Sequence, residues 1–332
     1  MIQTSNKKIP YEQMYNNSKV DLSFVIPTLN EEQNLFNLLT SIKQLLTDLR
    51  YEIIVVDNGS SDSTIYIATE LGAIVLHDSS TTIGGLRNLG ASYAQGKILV
   101  FLDADMLVTQ AWATEILDVI AKMNVDRRII TGSRAGISDS GSWIERYWFY
   151  PMTHEKQVNY MNSGHLIVHK EIFQQLGGFD SRLVTSEDWE FSTRARQKGI
   201  AIINNANLQV IHGGYPKTLI EFIHREKWHG TQDISSLKYF LNSKPALISA
   251  LYSIIGILGI LISILNRSLI CLLIAVTANS LICLIAALNK QKHLSFDILL
   301  ANFFLYNIYF IARGLSLFTV RNRRPRTGKS EG

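Results

Sequence analysis

Two uncharged apolar runs, Ala246 to Leu265 and Ser268 to Leu288, constrain this chain more than any other feature. Each is about the 20 residues that a helix needs to cross the hydrocarbon core of a bilayer. In lipid a backbone has no water to bond, so it must satisfy its own N–H and C=O groups, and runs of this kind fold as helices. The C-terminal part of the chain therefore reads as a membrane region. A third stretch, Phe296 to Val320, is apolar but carries Asp297, Asn302, Asn307 and Arg313. It is expected as a third membrane segment. If it spans, the basic tail lies on the side opposite the residues that precede the membrane region, against the positive-inside rule; if it is re-entrant or interfacial, the tail stays inside.

The 332 residues before and through this region are uneven in character. Up to about residue 240 charged and apolar residues mix as in a soluble domain, and the start, "MIQTSNKKIPYEQMYNNSKV", lacks the apolar run of a signal peptide. The soluble part is expected in the cytoplasm, held to the cell membrane by a multi-pass anchor. Cys271 and Cys283 both lie in the second apolar run, where a structural disulfide is not expected. The tail after Val320, "RNRRPRTGKSEG", carries the whole net charge of +4 and reads as an anchor on anionic membrane lipids rather than a nucleic-acid arm.

From residue 21 to 134 short β-branched runs alternate with helix-like segments. "LSFVIPTL", "YEIIVVDN", "AIVLHD", "KILVFLDAD" and "RIITGS" read as strands, several apolar enough to be covered on both faces. Helical periodicity opens at Asn30, Asp62 and Thr109, residue types that cap helix starts. This alternation predicts an α/β domain with a mostly parallel sheet. Its ligand cleft belongs beyond the carboxyl ends of the strands. Those ends carry "PTLNEE", "DNGSSD" and "DAD", a polar edge suited to a cation. Asp103 and Asp105 in "FLDADM" are two carboxylates that repel unless a cation or a proton intervenes. Mg²⁺ or Mn²⁺ resolves this, taking one or two carboxylates and completing its shell with water and phosphate oxygens.

"FVIPTLNEE", "IIVVDNGSSDST", "GGLRNLGASYAQGKILVFLDADM" and "EDWEFSTRARQKG" occur in that order, and the order resembles the family-2 glycosyltransferases of GT-A fold. No G-x-G-x-x-G follows the first strand, which argues against a dinucleotide-binding dehydrogenase. The resemblance implies a nucleotide pocket lined by Pro27, Thr28, Asn30 and Glu31, with Asp57 reading the base. A plain helix N-cap is the competing role for Asn30. Gly84, Gly85, Arg87 and Asn88 match the family segment that lies near diphosphate and ribose, although Leu86 stands where a small residue is usual. The resemblance also puts Asp103 on the ribose side and at the metal, Asp105 on the metal, Asp188 as the base and Glu187 as its positioning neighbour. His212 is implied as a third metal ligand or a diphosphate contact, with a structural histidine as the alternative. Asn162, Ser163 and Gly164 would form an acceptor-facing loop, and Trp189 a wall for a sugar face.

The expected boundaries are a polar extension at 1–20, a GT-A glycosyltransferase domain at 21–215, an interfacial amphipathic linker at 216–244, membrane helices at 245–320 and a basic tail at 321–332. In the linker "HREKW" stands where processive synthases carry Q-x-x-R-W, so a non-processive enzyme is expected. The whole resemblance implies an inverting, metal-dependent transferase, moving one sugar from a nucleotide-sugar donor, UDP-sugar favoured, to a lipid-linked or glycan acceptor in envelope assembly. A polyprenyl-phosphate sugar synthase and a catalytically silent nucleotide-sugar-binding scaffold are the alternatives.

Overall fold

The structure, a computed structural model, describes residues 20–138, 141–149, 158–233, 237–290 and 295–316. The polar extension (all but its last residue) and the basic tail lie outside these. The parallel core is β1 (Leu22–Thr28) between β2 (Tyr51–Asp57) and β4 (Ile98–Leu102), with β3 (Ile74–His77) beyond β2. The other half adds β6 (Ile129–Gly132), β7 (His165–His169) and β8 (Ala201–Asn204), giving the order β3-β2-β1-β4-β7-β6-β8. Only β7 runs against its neighbours, pairing antiparallel with both β4 and β6. A second, two-stranded sheet joins β5 (Met106–Val108) to β9 (Val210–His212).

Strand alternation divides the core between the two faces. Phe24, Ile26, Val100 and Leu102 pack with α1 (Glu32–Leu45) and α4 (Gln110–Val125) on one side. Val25, Leu99 and Phe101 pack with α3 (Ile83–Tyr93), α5 (Lys170–Gln175) and α6 (Glu187–Gln197) on the other. Covering both faces is why β1 and β4 read as continuous apolar runs rather than alternating ones. The short α2 (Thr64–Glu70) packs against α1.

One local expectation changes. Asn30 adopts φ 55° and α1 starts after it, because its side chain crosses to the neighbouring loop and accepts from the Ser61 N–H at 2.8 Å. It is not a helix cap. The glycine-rich segment at 84–90 forms most of α3, opened by Thr82, whose hydroxyl accepts from the Gly85 N–H. Gly90 there lets the helix lie directly on Val25 of β1 and Val56 of β2.

Beyond the domain come α7 (Leu219–Asp233), α8 (Leu237–Asn242) and three long apolar helices, α9 (Lys244–Leu265), α10 (Ile270–Lys290) and α11 (Phe296–Ser316). All three are long and apolar enough to cross a membrane. The linker helix α7 turns Phe222 into a buried cluster with Ile144, Trp148, Phe149 and Leu305, which joins the domain to α11.

Candidate active site

The strand ends bring the four sequence motifs to one edge. β4 ends at Leu102, and the chain turns through Asp103, Ala104 and Asp105 into β5, with Met106 N–H bonding back to the Asp103 carbonyl. Pairing of β5 with β9 sets Met106 opposite His212, so a residue from more than a hundred positions downstream reaches the carboxylates. Asp103, Asp105 and His212 each bring one ligand atom within 4.8 Å of the others. One Asp105 oxygen, Oδ1, is buried without a hydrogen-bond partner. Burial, and then the Asp103 charge, push the Asp105 carboxyl up to about 7. Two close carboxylates with an unsatisfied buried oxygen fit a hard divalent cation.

His212 is set differently from a simple third ligand. Burial pushes its pKa down to about 4, so the ring is neutral. Its Nδ1 accepts from the Gly214 N–H at 3.0 Å, which leaves the ring proton on Nε2, 3.7 Å from Asp105 Oδ1. In this tautomer the ring is a donor facing Asp105 and the cleft; to ligate a cation through Nε2 it must move that proton to Nδ1 and give up the Gly214 bond. Tyr215 stacks on it with ring centroids 4.2 Å apart. A cavity of about 400 Å³ opens beside this group, lined by Asn34, Asp105, Glu145, His212 and Lys217.

Arg87 occupies a position that the sequence alone does not suggest. It is 1% exposed, and its guanidinium donates to Asp103 Oδ1 at 2.5 Å and to Glu187 Oε1 at 2.8 Å. The structure thus places it beneath the two motifs as a strut, not out in the cleft toward a diphosphate. Glu187 also accepts from Ser163 Oγ at 2.8 Å, and Asp103 N–H bonds the Gly164 carbonyl at 3.0 Å, so the 162–164 loop is pinned to both acids. Gly164 is required there, because a Cβ would run into the Asp103 carboxylate. Gly84 packs against Glu187. Asn88 lies away from the cleft, clamping the Phe179 backbone with its amide at 2.8 Å and its oxygen at 2.9 Å.

Asp188 follows Ser186, which holds φ 68°, and Glu187, the first residue of α6. It is half-buried, and its Oδ1 accepts from the Trp189 N–H. Burial and the adjacent Glu187 charge raise its pKa. Trp189 is exposed. Tyr160, with Arg134 over its ring, lies within the field of Asp188; neither residue belongs to a recognisable motif, and only the tertiary fold discloses them.

At the first two strand ends, Thr28 is buried at the end of β1 with its hydroxyl unpartnered, directly after Pro27, which pairs with Val56. Asp57 is fully buried and accepts from the Gly59 and Ser60 N–H groups at 2.8 and 3.0 Å through Oδ2, while Oδ1 is unpartnered. Glu31 faces the same cleft: burial raises its carboxyl, and the charges of Asp105 and Asp103 add to the shift.

The profile described as Glycosyl transferase family 2 matches residues 23–177. Glycosyltransferase AglE of Haloferax volcanii is 27% identical over 194 residues, covering 54% of this chain and 63% of the relative. The dolichyl-phosphate beta-glucosyltransferase ALG5D of Trichomonas vaginalis is 25% identical over 145 residues, covering 40% of this chain and 42% of the relative. The chain thus spans less than two thirds of the length of these relatives. Among solved structures, a mannosyltransferase from Pyrobaculum calidifontis in complex with GDP-Man and Mn²⁺ shares the fold, with TM-score 0.55 and 16% identity over 91% of this chain and 88% of that one. Residues 23–177, with the sheet and its polar strand ends, thus match the family-2 glycosyltransferases and fold as a GT-A-like domain, and three apolar helices follow.

Proposed function

We propose that the protein is a membrane-anchored, inverting glycosyltransferase that moves one sugar from a nucleotide-sugar donor to a hydroxyl of a lipid-linked acceptor, in envelope glycan or polysaccharide assembly. The observation that carries this reading is the strut from Arg87 to Asp103 and Glu187, which sets a metal-fitting acid pair and a base candidate in one rigid frame. Asp103 and Asp105 would hold Mg²⁺ or Mn²⁺, with His212 as a further ligand if its ring proton moves from Nε2 to Nδ1. The ion supplies Lewis-acid neutralisation of the diphosphate leaving group. Similarity to a fold neighbour solved with GDP-Man and Mn²⁺ supports divalent metal use and a nucleotide-sugar donor.

The remaining work falls to the chain. Pro27, Thr28, Asn30, Glu31 and Asp57 enclose the nucleotide, with the unpartnered Thr28 hydroxyl and Asp57 Oδ1 as its free polar contacts. Gly84, Gly85, Arg87 and Asn88 act through α3, by holding the carboxylates and the Phe179 turn in place. Asp188 accepts the proton of the acceptor hydroxyl as that oxygen bonds to the anomeric carbon and the bond to the nucleoside diphosphate breaks. One displacement with no covalent intermediate inverts the anomeric centre.

The test is release of nucleoside diphosphate by detergent-purified protein, screened over uridine and guanosine diphosphate sugars with Mg²⁺ or Mn²⁺ and a membrane-lipid extract. Release that requires metal, lipid and Asp188 supports the reading. Release that survives Asp188→Asn favours transfer to a lipid phosphate, which needs little deprotonation and which the similarity to a dolichyl-phosphate glucosyltransferase brings forward. Donor binding without release under every lipid overturns the enzyme reading in favour of a silent binding protein.

A further inference from the structure

Helix α11 is long and apolar enough to cross a bilayer, at about 31 Å for 21 residues at about 1.5 Å each. Its contacts place it elsewhere. Near its start, Asp297 accepts from the hydroxyl of Tyr147 at 3.1 Å, in a π-helical turn (Glu145–Phe149) of the soluble domain. Near its end, Arg313 donates to Asp233 at 2.6 Å and to Glu226 at 3.3 Å, both on the linker helix α7. Both ends are therefore tied to polar groups on the catalytic domain's side. A spanning helix would carry one of those ends to the far side of the membrane.

The packing against the other two apolar helices gives the same depth. Gly314, close to the end of α11, lies against Ser249 and Ser253, in the first half of α9. A third span rising beside α9 would bring Gly314 level with the far end of that helix, where instead Gly259 meets Ala275 of α10. Trp148 of the soluble domain touches Lys290, the last residue of α10, and also Tyr306 and Tyr309 in the centre of α11. The centre of α11 thus sits at the level where α10 leaves the membrane. The outer face of α11 exposes Phe296, Leu300, Phe304 and Ile311, with the exposed indole of Trp143 beside Phe304 at 6.2 Å. An apolar stripe flanked by tryptophan suits the headgroup boundary.

We propose that α9 and α10 alone cross the bilayer, and that α11 lies obliquely in the leaflet next to the catalytic domain, its Phe296–Ile311 stripe in contact with lipid. The lipid surface is the occupant because α11 packs against α9 and α10, which expose apolar side chains along their own length, and is tied to the domain at both ends. It follows that the chain leaves α11, at Ser316, on the catalytic domain's side, the side to which the positive-inside rule assigns a basic tail if it is cytoplasmic. The inference rests on the membrane-anchored part of the proposed function and not on the transfer chemistry.

The test labels single cysteines with a membrane-impermeant maleimide in sealed vesicles of the full chain, before and after detergent. Ala121→Cys, exposed on α4, marks the catalytic side, and Asn266→Cys, in the turn between α9 and α10, marks the other; the unaltered chain supplies the blank for Cys271 and Cys283. Vesicles are oriented so that Ala121→Cys labels directly and Asn266→Cys only after detergent; equal labelling of these two controls would show instead that α9 and α10 do not span. Under that orientation, Ser330→Cys is expected to reach most of its detergent yield without detergent. Labelling of Ser330→Cys only after detergent overturns the proposal and makes α11 a third span.

Discussion

The Arg87 guanidinium, buried between Asp103 and Glu187, is the residue on which the site depends. Removing it leaves the buried Glu187 carboxylate, and the partly exposed Asp103, without their cation, and stranding a buried charge in this way costs about 3–5 kcal/mol. Arg87→Met is expected to lower the thermal midpoint and to abolish turnover together, as read by unfolding in detergent beside nucleotide release. Asp188 gives a pH signature. Its raised pKa keeps the proton on the carboxyl toward neutral pH, and only the deprotonated form can take the acceptor's proton. Turnover at subsaturating substrate should therefore rise with pH through that pKa, and Asp188→Asn should lose about 10²–10⁴-fold in rate along with the rising limb. Gly214 is a sharper probe of the metal site, since a Cβ there would enter the Asp105 carboxylate. Gly214→Ala should raise the Mn²⁺ concentration needed for half-maximal rate while leaving the folded fraction unchanged, which a metal titration and a melting curve would separate.

At the level of elements, the joint between the domain and its apolar helices is built on Trp148. Its ring packs edge-on to Phe222 of α7 at 5.1 Å, lies against Tyr306 of α11 at 4.8 Å, and receives the Lys290 ammonium at 3.3 Å from its centroid. Truncating a buried tryptophan typically costs about 3–5 kcal/mol. Trp148→Ala is expected to loosen α7 and α11 without touching the acid cluster; limited proteolysis should then cut between the domain and α9 far faster than in the unaltered chain. Elements also show how local signals mislead. The glycines at 84, 85 and 90 match a family segment expected near the diphosphate, yet they lie within α3, where Gly90 meets Val25 and Val56 of the sheet and Gly84 meets Phe179 and Glu187.

For the whole molecule, two apolar helices, charged only at Lys244 and Lys290 and packed along each other at Gly259 and Ala275, predict an integral membrane protein. The chain should stay in the membrane pellet through high salt and alkaline carbonate and leave it only in detergent; release by carbonate would make the association peripheral. The sequence by itself determined β1, β2, β3, β4, β6 and their polar ends, because a strand buried on both faces must be a continuous apolar run and its polar exit is then conspicuous; that β7 enters antiparallel, with β8 beyond β6, came only from the structure. It also determined the apolar helices, whose length and composition are enough to cross a membrane. Only the tertiary structure decided what those residues do to one another. Arg87 meets Glu187 across a hundred positions, and His212 reaches Asp105 through a pairing of three-residue strands too short to carry a pattern. The level of α11 is likewise invisible to hydropathy, which counts apolar residues but not the Tyr147, Glu226 and Asp233 groups that hold its two ends on one side.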